Sequence, residues 1–281
     1  MGRRLRVVHR TGYRYPGLVS ASHNEARMTP RATSEQAVLA SRLDITPLAW
    51  SHGFVDYWGT TVTSFEVAEL HDRLDVVATS TVEVGERTAA GLGLDWTALS
   101  DPVLRDQQVE FLSIGAHVDP GAQLRRIATR AAERAVRPAE AVREVVDRIR
   151  GQVAYVPGST QVSTAAAAAW SAGAGVCQDL VHLGVGALRS IGIPARYVSG
   201  YVMPAADPVP GEPRTGESHA WLQYWDGAWV GLDPTNDSAP GEFHVELGVG
   251  RDYFDVPPLK GVYTGSESSD LFVEVEVTVL A

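Results

Sequence analysis

Cysteine is nearly absent from this chain, with Cys177 alone among 281 residues. A single thiol excludes an internal disulfide framework and any zinc site built on paired cysteines, and it fits a reducing compartment. Long apolar runs are missing as well. No stretch approaches the roughly 20 residues that a membrane span requires. The basic start, Met1-Gly-Arg-Arg-Leu-Arg6, has no apolar signal-peptide core behind it, and Arg6 breaks the myristoylation pattern. No membrane association is expected, and the default is a soluble cytoplasmic protein. Positive charge is in deficit, with 24 Lys and Arg against 34 Asp and Glu and a net charge of −10, which argues against a nucleic-acid partner. Neither a His-x-x-x-His pair nor a calcium-loop spacing occurs, so no metal and no other cofactor is expected.

What is present is the composition of a folded protein, 44% hydrophobic and 21% charged. Residues 1–85 read as an antiparallel β domain. Leu5–Tyr15, Val38–Ile45 and Leu74–Val84 are rich in β-branched and aromatic residues, and 54–67 reads as a hairpin turning near Trp58-Gly59. Residues 86–119 carry weak signals and read as a connection. Helical spacing starts after Asp119-Pro120, and Pro138 divides one helix from a second over 139–150. Thr164 reads as the N-cap of the alanine run that ends near Trp170. A further helix begins at Cys177 and stops before Gly192-Ile-Pro194. Strands follow over 195–203, 218–225 and 228–233, the last two joined by Asp226-Gly227, and 204–217 reads as a patternless loop. Residues 120–265 form the second domain. The segment 266–281 carries an alternating strand that returns to an earlier sheet.

Chemistry concentrates on Gly173-Ala-Gly175-Val-Cys177-Gln-Asp179. Small residues place the sulfur at the first turn of a helix, where unpaired N–H groups and the helix dipole favour a thiolate. His219 on the next-but-one element and Asp233 on its hairpin partner complete the order Cys, His, Asp. A two-residue turn at Asp226-Gly227 would pair Trp225 with Ala228 and set His219 opposite residue 234, beside Asp233. In such a site Cys177 attacks, His219 moves the proton, and Asp233 holds the imidazole. The backbone N–H of Cys177 is the first oxyanion donor. Gln178, Trp170 and Tyr155 are side-chain candidates for the second, and Trp221 is a candidate wall of the substrate channel. Asp179 reads as a helix-start residue and His182 as a packed one, in preference to a metal pair.

These residues resemble the transglutaminase-like superfamily. The resemblance is carried by Gly175–Asp179, Gly192-Ile-Pro-Ala-Arg-Tyr-Val-Ser-Gly-Tyr201, Ser218-His-Ala-Trp221 and Trp229-Val-Gly-Leu-Asp-Pro-Thr-Asn236, with Gly250–Tyr253 and Asp255–Pro258 beyond them. His9-Arg-Thr-Gly-Tyr-Arg-Tyr15 and Asn24–Arg27 resemble the β module preceding this domain in one bacterial branch. The resemblance implies an α+β fold, a papain-like core in which a cysteine-bearing helix packs on an antiparallel sheet, preceded by an all-β N-terminal domain. It assigns Cys177, His219 and Asp233 as catalytic. Gln223, where an acidic residue is common in this branch, is a departure. The expected activity is thiol-dependent hydrolysis or acyl transfer at a peptide or amide bond of a peptide or protein substrate. Water is the favoured acceptor over an amine, and a non-catalytic binding module is the alternative from another class.

Overall fold

The computed structural model describes residues 2–85, 91–204, 207–216, 218–265 and 268–280. Residues 86–90 of the expected connection, parts of the 204–217 loop and the first residues of the C-terminal segment lie outside these ranges. The strands β1 (Arg3–Ala26), β2 (Gln36–Thr46), β3 (Trp50–Val55), β4 (Thr61–Val67) and β5 (His71–Val84) are followed by the helices α1 (Trp96–Leu99), α2 (Pro102–Gln107), α3 (Val109–Leu112), α4 (Gly121–Arg134) and α5 (Pro138–Gln152). After β6 (Ala154–Tyr155) come α6 (Ala166–Ala172), β7 (Ala174–Gly175) and the cysteine helix α7 (Cys177–Ser190). The chain then runs through β8 (Ala195–Val202), β9 (Pro213–Gly216), β10 (Ser218–Trp225), β11 (Trp229–Leu232), β12 (His244–Gly250), β13 (Leu259–Thr264) and β14 (Asp270–Val279).

The longest strand, β1, organises the first layer. Its N-terminal half lies between β5 and β14, giving the order β2-β5-β1-β14-β9. Beyond an irregularity after Arg14, its second half pairs instead with β4 and β13. The expected antiparallel β domain is therefore present, but three later strands complete it. β14 returns to it, β13 joins it from inside the 120–265 stretch, and β9 lies in the segment read as a patternless loop. A four-residue strand with a proline shows no alternation, so only its partner β14 reveals it.

Side-chain alternation then decides how the two halves meet. On β5 the even-numbered residues from Leu74 to Val84 all face inward. Leu74, Val76 and Ala78 pack on Phe65, Val67 and Leu259 within the β module. Val82 and Val84, with Leu5 and Val7 of β1 and Val275, Val277 and Val279 of β14, pack on Tyr201, Met203, Val245 and Leu247. Those last four belong to β8, β12 and the residues beside them, in the second sheet, ordered β11-β10-β8-β12. The halves thus share a dry core, pinned at its edge by Arg31 Nη1 donating to Glu246 Oε1 at 2.8 Å and by Gln36 bonded to the Glu246 backbone.

Helix α7 fills the centre of the second half. Every residue from Gln178 to Arg189 is buried, so its apolar stretch has no solvent face. It lies against α4, α5 and α6 on one side and β8 and β10 on the other. Close approach needs glycine: a Cβ on Gly186 would stand 1.6 Å from the Val118 carbonyl oxygen. The weak 86–119 region holds α1 to α3, each too short to show a period. Asp95 and Asp101 cap the first two through backbone N–H groups. The alanine-run helix is preceded by Ala165 as N-cap, not Thr164, whose hydroxyl accepts from the Gln161 N–H instead.

Gly186→Ala is expected to destabilise the protein by about 1–3 kcal/mol, the usual cost of overpacking, because the obstacle is backbone. Gly151→Ala, in α5 with open space around its would-be Cβ, should be neutral or stabilise by up to about 1 kcal/mol. Urea unfolding midpoints at constant slope check both.

Candidate active site

Cys177 stands at the first helical position of α7. The chain is brought there by a sharp reversal. Gly173 closes α6 at φ +67, a left-handed conformation that glycine adopts without a Cβ penalty. Ala174 and Gly175 then pair with Ala154 and Tyr155, and Val176 turns into the helix. Asp179 Oδ2 accepts from the Val176 N–H at 2.8 Å and from the Thr160 hydroxyl at 2.6 Å. The helix start is thereby fixed, and Asp179 has the helix-start role read from its position. The N–H of Cys177 lies in the first turn, where no intrahelical acceptor exists.

His219 is the second residue of β10 and is buried. Its Nε2 bonds to Asp233 Oδ2 at 2.7 Å. The other ring nitrogen, Nδ1, remains for the thiol, and Cys177 and His219 line the same cavity. The hairpin reaches this geometry by a different register from the expected one. Trp225 pairs with Trp229, so the turn holds three residues, with Gly227 at φ +79. The Asp226 carboxylate fixes that turn by accepting from the N–H groups of Gly93 and Leu94 at 3.1 and 2.6 Å. The strand ends at Leu232, and Asp233 sits one residue beyond it in an isolated bridge to Ser238.

Asp233 is fully buried, and donors converge on both its oxygens. Oδ1 accepts from the backbone N–H of Thr235 and Asn236 at 2.9 and 3.2 Å, a local turn typical of aspartate. Oδ2 accepts from His219, from Asn236 Nδ2 at 2.7 Å and from His244 Nε2 at 3.3 Å. Burial alone would raise this carboxyl, but the hydrogen bonds of His219 and His244 hold it far below the usual carboxylate range. Burial likewise pushes His219 down, and the partnership with Asp233 and Cys177 overrides it, raising the imidazole to about 9. A cationic ring therefore faces a sulfur at the positive end of a helix.

Asn236 and His244 complete this network. The sequence places Asn236 within the quoted Asp233–Asn236 stretch, but nothing marks His244 before β12 is folded beside β8. The His244 Nδ1 accepts from the Gly241 N–H at 3.1 Å, so Nε2 carries the proton that Asp233 receives. The ligand-type atoms of His219, Asp233 and His244 lie within 4.8 Å of one another. Their lone pairs and protons are spent on each other, an arrangement suited to holding a proton and unsuited to holding a cation.

Cys177 and His219 border a cavity of about 210 Å³ that Gln178, Tyr155 and Val162 also line. Gln178 donates one amide N–H to the Val162 carbonyl at 3.0 Å and lines the cavity beside Cys177. Trp170 does not reach the cavity. It lies in the helical core and donates to Gln123 Oε1 at 3.1 Å. Trp221 backs the site from the core, edge-on to His244 with ring centres 5.4 Å apart, and does not line the cavity. Gln223 accepts from Arg196 Nε at 2.7 Å, away from the cavity, and Arg196 stacks on Trp229. His182 is buried against Tyr197 and accepts from the Tyr253 N–H at 3.1 Å.

A cysteine on a buried helix, a histidine and an aspartate on the facing antiparallel sheet, and a β module over them define a papain-like α+β architecture. Residues 5–83 match the family model of the bacterial transglutaminase-like N-terminal region, and residues 125–234 match that of the transglutaminase-like superfamily. An uncharacterized protein of Mycobacterium leprae is 42% identical over 278 residues, 99% of each chain. Another from Mycobacterium tuberculosis is 35% identical over 291 residues, 98% of this chain and 92% of that one. The crystal structure of a candidate cysteine protease from Cytophaga hutchinsonii has the same fold, with a TM-score of 0.79 at 22% identity, covering 100% of this chain and 92% of that one. The chain belongs to the transglutaminase-like superfamily and carries its bacterial N-terminal region.

The signs of the two shifts set the pH behaviour. His219 favours the folded state fully below its ordinary 6.5, and that contribution fades as pH rises through about 9. Asp233 contributes fully above its ordinary 3.8, and its contribution is lost only in strong acid. Asp233→Asn, which removes the partner that raises His219, is therefore expected to lower stability at pH 6 and to flatten its decline between about pH 6.5 and 9, read from urea unfolding midpoints. A parent protein whose stability does not change between about pH 6.5 and 9 would rule out the His219–Asp233 ion pair.

Proposed function

We propose that this protein is a thiol-dependent hydrolase of peptide or amide bonds that works through a thioester on Cys177. One observation carries the reading: Cys177 at the tip of α7 and His219, whose ring is hydrogen-bonded to Asp233, line the same cavity. In the first half-reaction the sulfur anion adds to the scissile carbonyl, and the N–H of Cys177 stabilises the developing oxyanion. The C–N bond then breaks, the His219 proton passes to the leaving amine, and a thioester remains. In the second half-reaction His219 removes a proton from the acceptor as it attacks. The carboxylic product leaves, and the proton returns the site to its resting ion pair. Asp233 keeps the ring oriented throughout and stabilises its cationic form.

Water is the favoured acceptor. A cavity of about 210 Å³ is below the roughly 300–1,000 Å³ of ordinary small-molecule sites. Once the acyl group fills it, a water molecule reaches the thioester with less displacement than an amine-bearing chain. An amine acceptor would make the same thioester a transglutaminase or amide-forming intermediate.

Mass spectrometry of the protein with peptide libraries, with and without added primary amines, tests this. Expected are an acyl adduct on Cys177, carboxylic products in water, and loss of both in Cys177→Ala. Amide products dominating at millimolar amine would assign transfer instead. No adduct and no turnover, with a folded parent, would remove the enzymatic reading.

A further inference from the structure

The inward row of β1 changes character along its length. Leu5 and Val7 enter the core shared with β8 and β12, whereas His9 and Thr11, the next two on the same face, line the Cys177 cavity. β14 behaves in the same way. Val275, Val277 and Val279 are buried, while Leu271 and Val273 of the same row are about half exposed and line the cavity too. The register sets Thr11 opposite Val273 and Tyr13 opposite Leu271. The β module thus extends past its packed region and forms a wall of the catalytic cavity.

His9 is the one imidazole of that wall. It is 1% exposed, its Nδ1 lies 2.8 Å from Tyr201 Oη, and its Nε2 is buried without a hydrogen-bond partner. Burial pushes the Tyr201 hydroxyl far up and His9 down to about 4, so the phenol keeps its proton and the imidazole stays neutral. His9 Nδ1 is the sole hydrogen-bond partner of Tyr201 Oη among the described residues. The phenol therefore donates to Nδ1, and the ring proton sits on Nε2. A buried N–H without an acceptor is destabilising. A substrate carbonyl entering the cavity would supply the missing acceptor. The cavity lining includes the aliphatic Leu259, Leu271, Val273 and Val162 together with Thr11, Ser199 and Ser218.

We propose that the N-terminal β module is the substrate-recognition wall of this enzyme: His9 Nε2 donates to a carbonyl oxygen of a peptide substrate whose apolar side chain packs on Leu259, Leu271 and Val273. This rests on Cys177 being the acyl-accepting nucleophile. It adds that the substrate is a peptide with an aliphatic residue at the acyl position.

The test compares two alkylating reagents on the full chain. Iodoacetamide reads the nucleophile alone, and Ala-Leu-chloromethyl ketone must also occupy the cavity. His9→Phe and, separately, Val273→Asp should each slow capture of the dipeptide reagent about tenfold, and leave the iodoacetamide rate within about twofold. Tenfold for His9→Phe corresponds to about 1.4 kcal/mol, the scale of one hydrogen bond. The parent should also prefer Ala-Leu- over Ala-Asp-chloromethyl ketone. Val273 lies on the exposed part of its strand, so its variant decides the matter if His9→Phe does not fold. Unchanged dipeptide rates, or equal losses with both reagents, overturn the proposal while leaving the nucleophile intact. A parent that reacts with neither reagent faster than a free thiol overturns the nucleophile reading and this one with it.

Discussion

The carboxylate of Asp233 is the constraint around which this site is built. A buried charge of that kind is tolerated only when donors meet it on every side. Here the donors are two backbone N–H groups, one amide and two imidazoles. Each comes from a different requirement of the fold. β10 delivers His219, β12 delivers His244, and the turn after β11 wraps onto its own aspartate. Arg150 of α5 braces that turn by donating to the Pro234 and Thr235 carbonyls at 2.6 and 3.1 Å. The charge of Asp233 is what keeps His219 cationic, and the cationic ring is what gives the sulfur a positively charged neighbour.

The second constraint is the core shared between the halves. Because the same faces of β1, β5 and β14 bury residues within the β module and against β8 and β12, the two halves are not independent layers. Arg31 and Gln36, just past β1, tie Glu246 of β12, two residues from His244. The sheet that carries His219 and His244 is thereby tied to the module that also walls the cavity. No helix of the described residues is long and apolar enough to cross a membrane.

Much of this was legible in the chain. The Gly173–Asp179 run announces a helix start with a sulfur on it, because glycine permits the reversal and Asp179 the cap. The alternation in Leu74–Val84 and in the C-terminal segment announces strands. Less legible were elements whose cause lies elsewhere. β9 exists because β14 offers it an edge, and α1 to α3 are short turns stabilised by their aspartate caps and by packing. The hairpin register was misread because Asp226 is held by the Gly93 and Leu94 N–H groups, residues with no visible relation to it in sequence. Trp170 and Trp221 looked like site residues because they flank the catalytic ones along the chain, yet both point into cores.

The sequence by itself determined the reactive types and their order, one cysteine at a helix tip with a histidine and an aspartate on successive strands. It determined the family as well, since local spacing and local turn chemistry survive without coordinates. Only the tertiary structure decided that His244 and Asn236 share the carboxylate, that Gln178 donates to a loop carbonyl, and that His9, more than 160 residues before the cysteine, borders the same cavity. The reason is physical. A hydrogen bond or a cavity wall between distant segments depends on register and sheet packing, and neither leaves a period or a motif in the segments it joins.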